Sequence, residues 1–532
     1  MTANTAPAKA GRREWLGLAV LALPTFVMAI DLFVLMLALP NLSSDLGATG
    51  MEQLWTMDIY GFMLAGFLVT MGTLGDRIGR RKLLMIGCSA FAVASLLCAY
   101  AWSPEVLIAA RALLGIAGAT LGPSTLSLIG TMFQDPKQQA AAFGIWGSVF
   151  TMGALFGPVI GGAMLTQWWW GSVFLLGVPF VIAALVLGPK FLPEFRNGQP
   201  GKPDLVSVAL SLAALFPVIY GIKSLARDGF SAVAVVAVVV GVAAGWVFLR
   251  RQRTISDPLL DLSLFKNNTI GTSLAGQLSY SMTGGGIMLL MMLYFQLVQG
   301  MSTLEAGLAM VPGMAGGAIG FAVGPKLANK FRPAYVISAG LLGAALTLVW
   351  MTQISADSGT TALVVGFAII AFCGAPMAGL GTNLVVTSAP PEKMGSAGSL
   401  AQMANEFGGT LGLAVLGTIG TAVYRANVSD SLPAGLNAET AEITKDSLAG
   451  ATVAAGKLPA GEADALLAPA RDAFTDGVQT VATIGAILLA TMAVVVAVKL
   501  KHVAPFGAAQ APADGDGGDD AGLAPVAAEE AR

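Results

Sequence analysis

The 532-residue chain is short of charge, of histidine and of cysteine, and each shortage removes a class of protein. Asp, Glu, Lys and Arg together make up 11% of it, where an ordinary soluble domain carries about 25%. Such a chain lacks the polar surface of a soluble protein of this length, and no basic patch marks a nucleic-acid partner. The single histidine, His502, follows the last apolar run, which leaves none within the apolar segments for acid–base, nucleophile-activating or zinc chemistry. Cys88, Cys98 and Cys373 lie in apolar runs without Cys-x-x-Cys spacing, so neither a disulfide framework nor a metal site is expected. No Gly-x-x-x-x-Gly-Lys-Ser/Thr phosphate loop occurs, and no polar segment is long enough to house an ATPase. No cofactor, metal or catalytic constellation is expected.

What the chain has is apolar length. Hydrophobic residues make up 55% of it, and its mean hydropathy is +0.74. A helix needs about 20 apolar residues to cross roughly 30 Å of hydrocarbon. Runs of that kind fall near 15–39, 54–75, 83–102, 105–130, 141–165, 171–192, 205–223 and 231–249, then near 269–298, 304–328, 334–353, 359–387, 396–424 and 475–499. The first run is too long for a cleavable signal and contains Asp31, so it reads as a permanent helix. An all-α membrane protein with fourteen transmembrane helices is expected.

Most Lys and Arg residues fall between these runs on the side that carries both termini. The opposite side holds Lys223 and Arg227, and then Arg425, Lys445, Lys457 and Arg471 in one long loop. Basic short loops stay in the cytoplasm, so both termini are expected there and the chain in the inner (plasma) membrane.

An internal repeat organises the runs. Leu74-Gly75-Asp76-Arg77-Ile78-Gly79-Arg80, after the second run, has a degraded echo in Leu327-Ala328-Asn329-Lys330-Phe331-Arg332-Pro333, after the tenth. The same offset sets Gly157 opposite Thr410. Residues 15–192 and 268–500 therefore read as two six-helix bundles, with two inserted helices and their loops at 193–267. Residues 1–14 form a cytoplasmic N-terminus, 425–473 a partly helical external loop, and 501–532 a disordered tail.

Three segments do more than cross a bilayer. The loop from Gly72 through Asp76, Arg77, Gly79 and Arg80 combines bases with an acid and spaced glycines. Bases alone would serve as an anchor, whereas the glycines and the acid permit close, charged contact with another helix. Arg111 stands about seven residues into the fourth run. A charge at mid-membrane costs about 2.5–3.5 kcal/mol on insertion scales, so Arg111 either faces a partner acid or cavity, or snorkels to the surface. In the fifth run, Gly153, Gly157 and Gly161 recur every four residues along one helix face, and Pro158 bends the helix.

These segments, in this order, resemble the major facilitator superfamily, and specifically its fourteen-span drug:proton antiporters. The chain looks like the branch that exports quaternary ammonium compounds, methyl viologen and dyes. Asp31 through Pro40, Leu54 through Tyr60, the Asp76 loop, Arg111, Gly157-Pro158 and Asp257 through Asp261 carry the resemblance, which covers nearly the whole chain to about residue 500. It departs from the family at Phe33 and Met36, where Thr and Asn are usual, and at Pro312 through Gly320, where some relatives carry an acid. The resemblance implies the major facilitator fold and proton-coupled efflux of small lipophilic cations, mainly monovalent. It also implies protons and membrane lipids as partners, a monomeric state, and an Asp76 loop that touches the second bundle near the thirteenth span.

The acids expected within the membrane are Asp31, Asp58 and Glu406, and the base is Arg111. Asp31 and Arg111 both lie about 10–12 Å from the outer ends of their runs and could pair. Glu406 falls near mid-membrane. Asp58 lies about a turn inside its run, either hydrated or substrate-facing. One assignment gives proton exchange to Asp31, with Arg111 tuning it, and substrate attraction to Glu406; the reverse assignment of the two acids is equally open, and Glu406 belongs to both sets. Trp55, Trp146, Phe150 and Phe407 are candidates for cation–π contacts. Export of an endogenous lipid or a self-made antibiotic by the same exchange is the alternative.

Overall fold

The computed structural model of the protein describes residues 10–194, 204–228, 231–255, 258, 260, 262–355, 359–390, 394–433 and 436–506. They are helical almost throughout, with no strand among the described residues. The first half comprises α1 (Arg12–Leu46), α2 (Gly50–Ile78), α3 (Arg80–Ala99), α4 (Pro104–Met132), α5 (Pro136–Gln167), and a broken sixth helix, α6 (Ser172–Leu175) and α7 (Val178–Phe191). Two helices follow, α8 (Leu205–Asp228) and α9 (Ala232–Gln252). The second half has α10 (Asn268–Leu293), α11 (Thr303–Lys330), α12 (Pro333–Met351), α13 (Thr360–Thr387) and α14 (Met394–Ser431), then short α15 (Ala438–Asp446) and α16 (Leu448–Ala455), and finally α17 (Ala460–Lys499).

Among the described residues, 12 helices are long and apolar enough to cross a membrane. The other two of span length are α2 and α5, of 29 and 32 residues. Local chemistry sets several starts. Thr49 and Glu52 form a reciprocal cap on α2, as Ser302 and Glu305 do on α11. Ser103 before Pro104 and Asp135 before Pro136 pair a capping oxygen with a proline whose missing N–H costs nothing in the first turn. Pro179, in contrast, cannot donate a helical bond backwards, and the sixth helix breaks just before it at Gly177.

Several helices outrun the hydropathy that announces them. Helix α1 continues through Pro40 to Leu46, α14 reaches Ser431, and α17 already begins at Ala460. The expected external loop 425–473 is thus only 432–459 between helices, and it contains α15 and α16. Beyond the hydrocarbon a helix needs no apolar residues, so hydropathy marks the bilayer boundary rather than the helix end. Of the expected tail, residues 507–532 lie outside the described residues, as do residues 1–9 at the N-terminus.

The two halves repeat one packing pattern. In the first, α1 packs on α5 and α7, α2 on α4, and α3 on α4 and α7. In the second, α10 packs on α14 and α17, α11 on α13, and α12 on α13 and α17. The bundles meet along α2–α14 and α5–α11, each seam joining the second helix of one to the fifth of the other. The loop after each second helix is tied in the same way. Arg81 Nη1 donates to the Leu192 carbonyl at 3.1 Å, and Arg332 Nη1 to the Lys501 carbonyl at 2.6 Å.

The first and last described residues, Ala10 and Phe506, lie on one face, here the termini face. On the far face, α15 and α16 cap the second bundle and reach across to the first. The Asp446 carboxylate accepts from the Gly50 N–H at the start of α2 (2.6 Å), and the Tyr424 hydroxyl donates to the Thr444 carbonyl (2.7 Å).

Helices α8 and α9 form a tight hairpin outside both bundles. A Cβ on Gly221 or Gly241 would come within 2.6 Å of the Ala234 or Ala214 carbonyl oxygen, so only glycine permits this approach. Helix α8 lies on α2 and α14, and α9 turns Val233, Val236 and Val240 outward, each more than half exposed. In a bilayer that face meets lipid.

Candidate functional site

Helix α4 places Arg111 between α1 and α2. Gly115, one turn further on, lets the α2 backbone at Tyr60 approach α4 more closely than a side chain would allow. Arg111 Nη1 donates to Asp31 Oδ2 at 2.7 Å, with the two side chains 2% and 9% exposed. Its Nε reaches the Thr56 carbonyl at 3.5 Å, and its guanidinium carbon lies 4.5 Å above the Tyr60 ring. Arg111 is therefore a buried partner of Asp31, and the snorkelling alternative is overturned. Asp31 stands fifteen residues before the end of α1, deeper from that end than its apolar run implied, because the helix continues to Leu46.

Asp58 is not hydrated. It is 0% exposed, and its Oδ2 accepts from Lys223 Nζ at 2.6 Å, with the lysine side chain 1% exposed. Lys223 belongs to α8, not to an external loop as its place at the end of an apolar run implied. The residues that accompany it, Leu212, Phe216 and Ile219, form a helical stripe against Trp55, Phe62 and Gly66 of α2. That spacing was the available signal, since it puts Lys223 on the packed face of a helix that runs on to Asp228. The expected charge balance of three acids and one base thus gains a second base.

Glu406 on α14 takes part in no ion pair among the described residues. The hydroxyl of Thr410, one turn on, donates back to the Glu406 carbonyl at 3.0 Å, and Thr410 packs on Gly61 of α2. That contact brings Glu406 to the seam between the bundles. Asp31, Arg111 and Glu406 are all near enough to Tyr60 to act on it electrostatically. The Tyr60 hydroxyl itself is buried without a hydrogen-bond partner among the described residues.

The aromatics divide into two groups. Trp55, Phe216, Phe62 and Phe407 form a chain across α2, α8 and α14, with successive ring centroids 6.1, 6.1 and 6.5 Å apart. The Lys223 ammonium lies 4.5 Å from the Trp55 ring. Trp146 and Phe150 of α5 stack separately at 6.3 Å, and the Trp146 N–H donates to the Thr125 hydroxyl at 3.3 Å.

The glycine stripe of α5 serves close packing. A Cβ on Gly153 would meet Ala29 and Phe26 of α1, and one on Gly161 would meet Val34, so the stripe holds α1 on both sides of Asp31; Gly157 between them is buried. Pro158 faces Gly307 of α11, and Gly162 lies where a Cβ would come within 2.8 Å of Leu304 Cα. This is the α5–α11 seam near the far face.

At the termini face, Gly79 takes a positive φ of 111° between α2 and α3. Gly75 accommodates the folded-back Arg80, which is buried, while Arg77 is exposed and Gly72 lies near Pro123 of α4. The side chain of Asp76 lies outside the described residues.

The chain is similar to proteins of one kind. A match to the Major Facilitator Superfamily spans residues 21–413. The multidrug efflux pump LfrA of Mycolicibacterium smegmatis is 40% identical over 490 residues, covering 92% of this chain and 97% of that protein. The methyl viologen resistance protein SmvA of Salmonella typhimurium is 33% identical, over 87% and 93%. A tetracenomycin C resistance and export protein of Streptomyces glaucescens is 31% identical, over 91% of each. Among solved structures, a bacterial homolog of the human lysosomal transporter Spinster superposes with a TM-score of 0.64 at 17% identity, over 92% of this chain and 99% of that one, which shows a shared fold. The chain belongs to the Major Facilitator Superfamily, as a multi-pass membrane transporter and not an enzyme.

Proposed function

We propose that the protein exports lipophilic, mainly monovalent cations such as quaternary ammonium compounds and dyes in exchange for protons. The termini face is then the cytoplasmic face of the inner membrane, in keeping with its many Lys and Arg residues. The observation that carries the reading is the position of Glu406. Asp31 and Asp58 each have a buried cation within 2.7 Å, whereas Glu406 has no ion pair among the described residues and stands at the seam of the bundles, one residue before Phe407. A carboxylate without an ion-pair partner in a low-dielectric path attracts a cation and disfavours an anion.

Asp31 and Arg111 supply the exchange. Protonation of Asp31 releases Arg111, and loss of the proton restores the pair, so one proton changes a contact between α1 and α4. Helix α1 is held on the glycine stripe of α5, and α5 meets α11 through Pro158 and Gly307. Protonation at Asp31 thereby acts on the seam that must open on the far face. Each proton exchanged beyond the charge of the exported cation supplies about 2.3 kcal/mol per 100 mV before any pH difference is added, whereas one-for-one exchange with a monocation is driven by the pH difference alone. The multidrug name of one relative agrees with this reading, and the methyl viologen name of another agrees with export of a lipophilic cation, although methyl viologen itself is a dication. The name of the tetracenomycin exporter favours the second reading, a self-made antibiotic as cargo.

Purified protein in proteoliposomes with an imposed pH gradient tests the proposal. Uptake of ethidium or tetraphenylphosphonium that collapses with the gradient, and is lost in Asp31→Asn, is expected. No cation movement in either direction would leave the antibiotic reading as the stronger one.

A further inference from the structure

We infer that Lys223, on the first inserted helix, is a specificity-determining residue: by holding Asp58 it leaves one uncompensated carboxylate on the path and so selects monovalent over divalent cations. The inference rests on the proposed export of lipophilic cations and adds what sets the charge of the cargo.

Lys223 comes from outside both bundles, yet its ammonium is buried against α2 at 2.6 Å from Asp58 Oδ2. Anchorage alone does not require it. The hairpin is already seated by Leu212 on Gly66 and by Phe216 and Ile219 on Phe62, and burying two charges to fasten apolar helices is costly. Among the described residues Asp58 Oδ1 and the Thr56 hydroxyl have no hydrogen-bond partner, so half of the carboxylate has no described donor beside it. Asp58 lies one turn from Trp55 and from Phe62 on α2, and Phe62 faces Phe407, the residue after Glu406. Glu406 shares a face of α14 with Thr410, which packs on Gly61 of α2, so both carboxylates stand at the stretch of α2 that carries this aromatic chain. With Lys223 in place Glu406 is the uncompensated one of these two carboxylates; without it both are uncompensated, and a flat dication could meet both.

The test measures binding of a monocation, tetraphenylphosphonium, and a dication, methyl viologen, to full-length purified protein by calorimetry. Lys223→Gln is expected to raise dication affinity relative to monocation affinity by about tenfold, the scale of one charge at ~10 Å and an effective dielectric of ~20. Lys223→Arg should keep the wild-type ratio. The double variant Asp58→Asn/Lys223→Gln should return to it, which a purely structural role of the pair would not produce. A folded Lys223→Gln protein whose ratio stays within about twofold of wild type overturns the inference. Should that variant not fold, Asp58→Asn reads the same balance from the other side. Its stranded lysine should weaken monocation binding about tenfold, and unchanged binding overturns the inference. If wild-type protein binds neither probe, the export reading fails and this inference with it. Monocation binding with an unmoved ratio defeats the inference alone.

Discussion

The two bundles share a packing pattern and differ in charge. The first buries Arg111 with Asp31 and receives Lys223 against Asp58. The second buries neutral polar groups, such as Gln277 donating to the Thr382 hydroxyl at 2.7 Å, and carries Glu406 alone at the seam. On the proposed function, two halves with one set of helix contacts divide labour, the charge-paired half exchanging protons and the other offering the carboxylate for cargo. On the same proposal the inserted hairpin belongs to this division, because its lysine pairs with Asp58 of the first half.

Breaking the charged half should have the largest effect. Arg111→Met leaves Asp31 buried and unpaired, a loss of about 3–5 kcal/mol, seen as reduced folded yield or a lower unfolding temperature. Neutralising both partners in Asp31→Asn/Arg111→Met should recover most of that stability without restoring gradient-driven transport. Next is the shared architecture itself. Gly307→Val crowds Pro158 across the α5–α11 seam and should cost about 1–3 kcal/mol, with transport falling more than cation binding. Glu406→Gln removes the carboxylate that the second half carries at the seam and should weaken monocation binding about tenfold in calorimetry. The smallest effect is expected at the far-face cap. Asp446→Asn weakens the charge-assisted bond to the N-terminus of α2 by about 0.3–1 kcal/mol, measurable as faster amide exchange at the start of that helix.

The sequence made the spans legible because about twenty apolar residues in a row have few other uses. It hid their ends, since residues 40–46, 425–431 and 460–474 are helical without being apolar. The pairing of Asp31 with Arg111 followed from comparable depth in two helices. Lys223 escaped because a lysine that closes an apolar run looks like a boundary. Its helical spacing from Phe216 and Ile219 was the better guide, and Asp58 could be understood only once α8 was seen to pack on α2. The α5 glycines announced close packing, but which neighbours they meet is a tertiary fact: α1 for Gly153 and Gly161, α11 for Gly162.

The division of labour is tested most directly by tetraphenylphosphonium binding and pH-gradient-driven uptake measured on the same Glu406→Gln and Asp31→Asn proteins. The account predicts that Glu406→Gln loses binding about tenfold, while Asp31→Asn still binds the cation yet loses its response to the gradient. Binding at wild-type strength in Glu406→Gln, together with binding lost in Asp31→Asn, would contradict it and exchange the roles of the two acids.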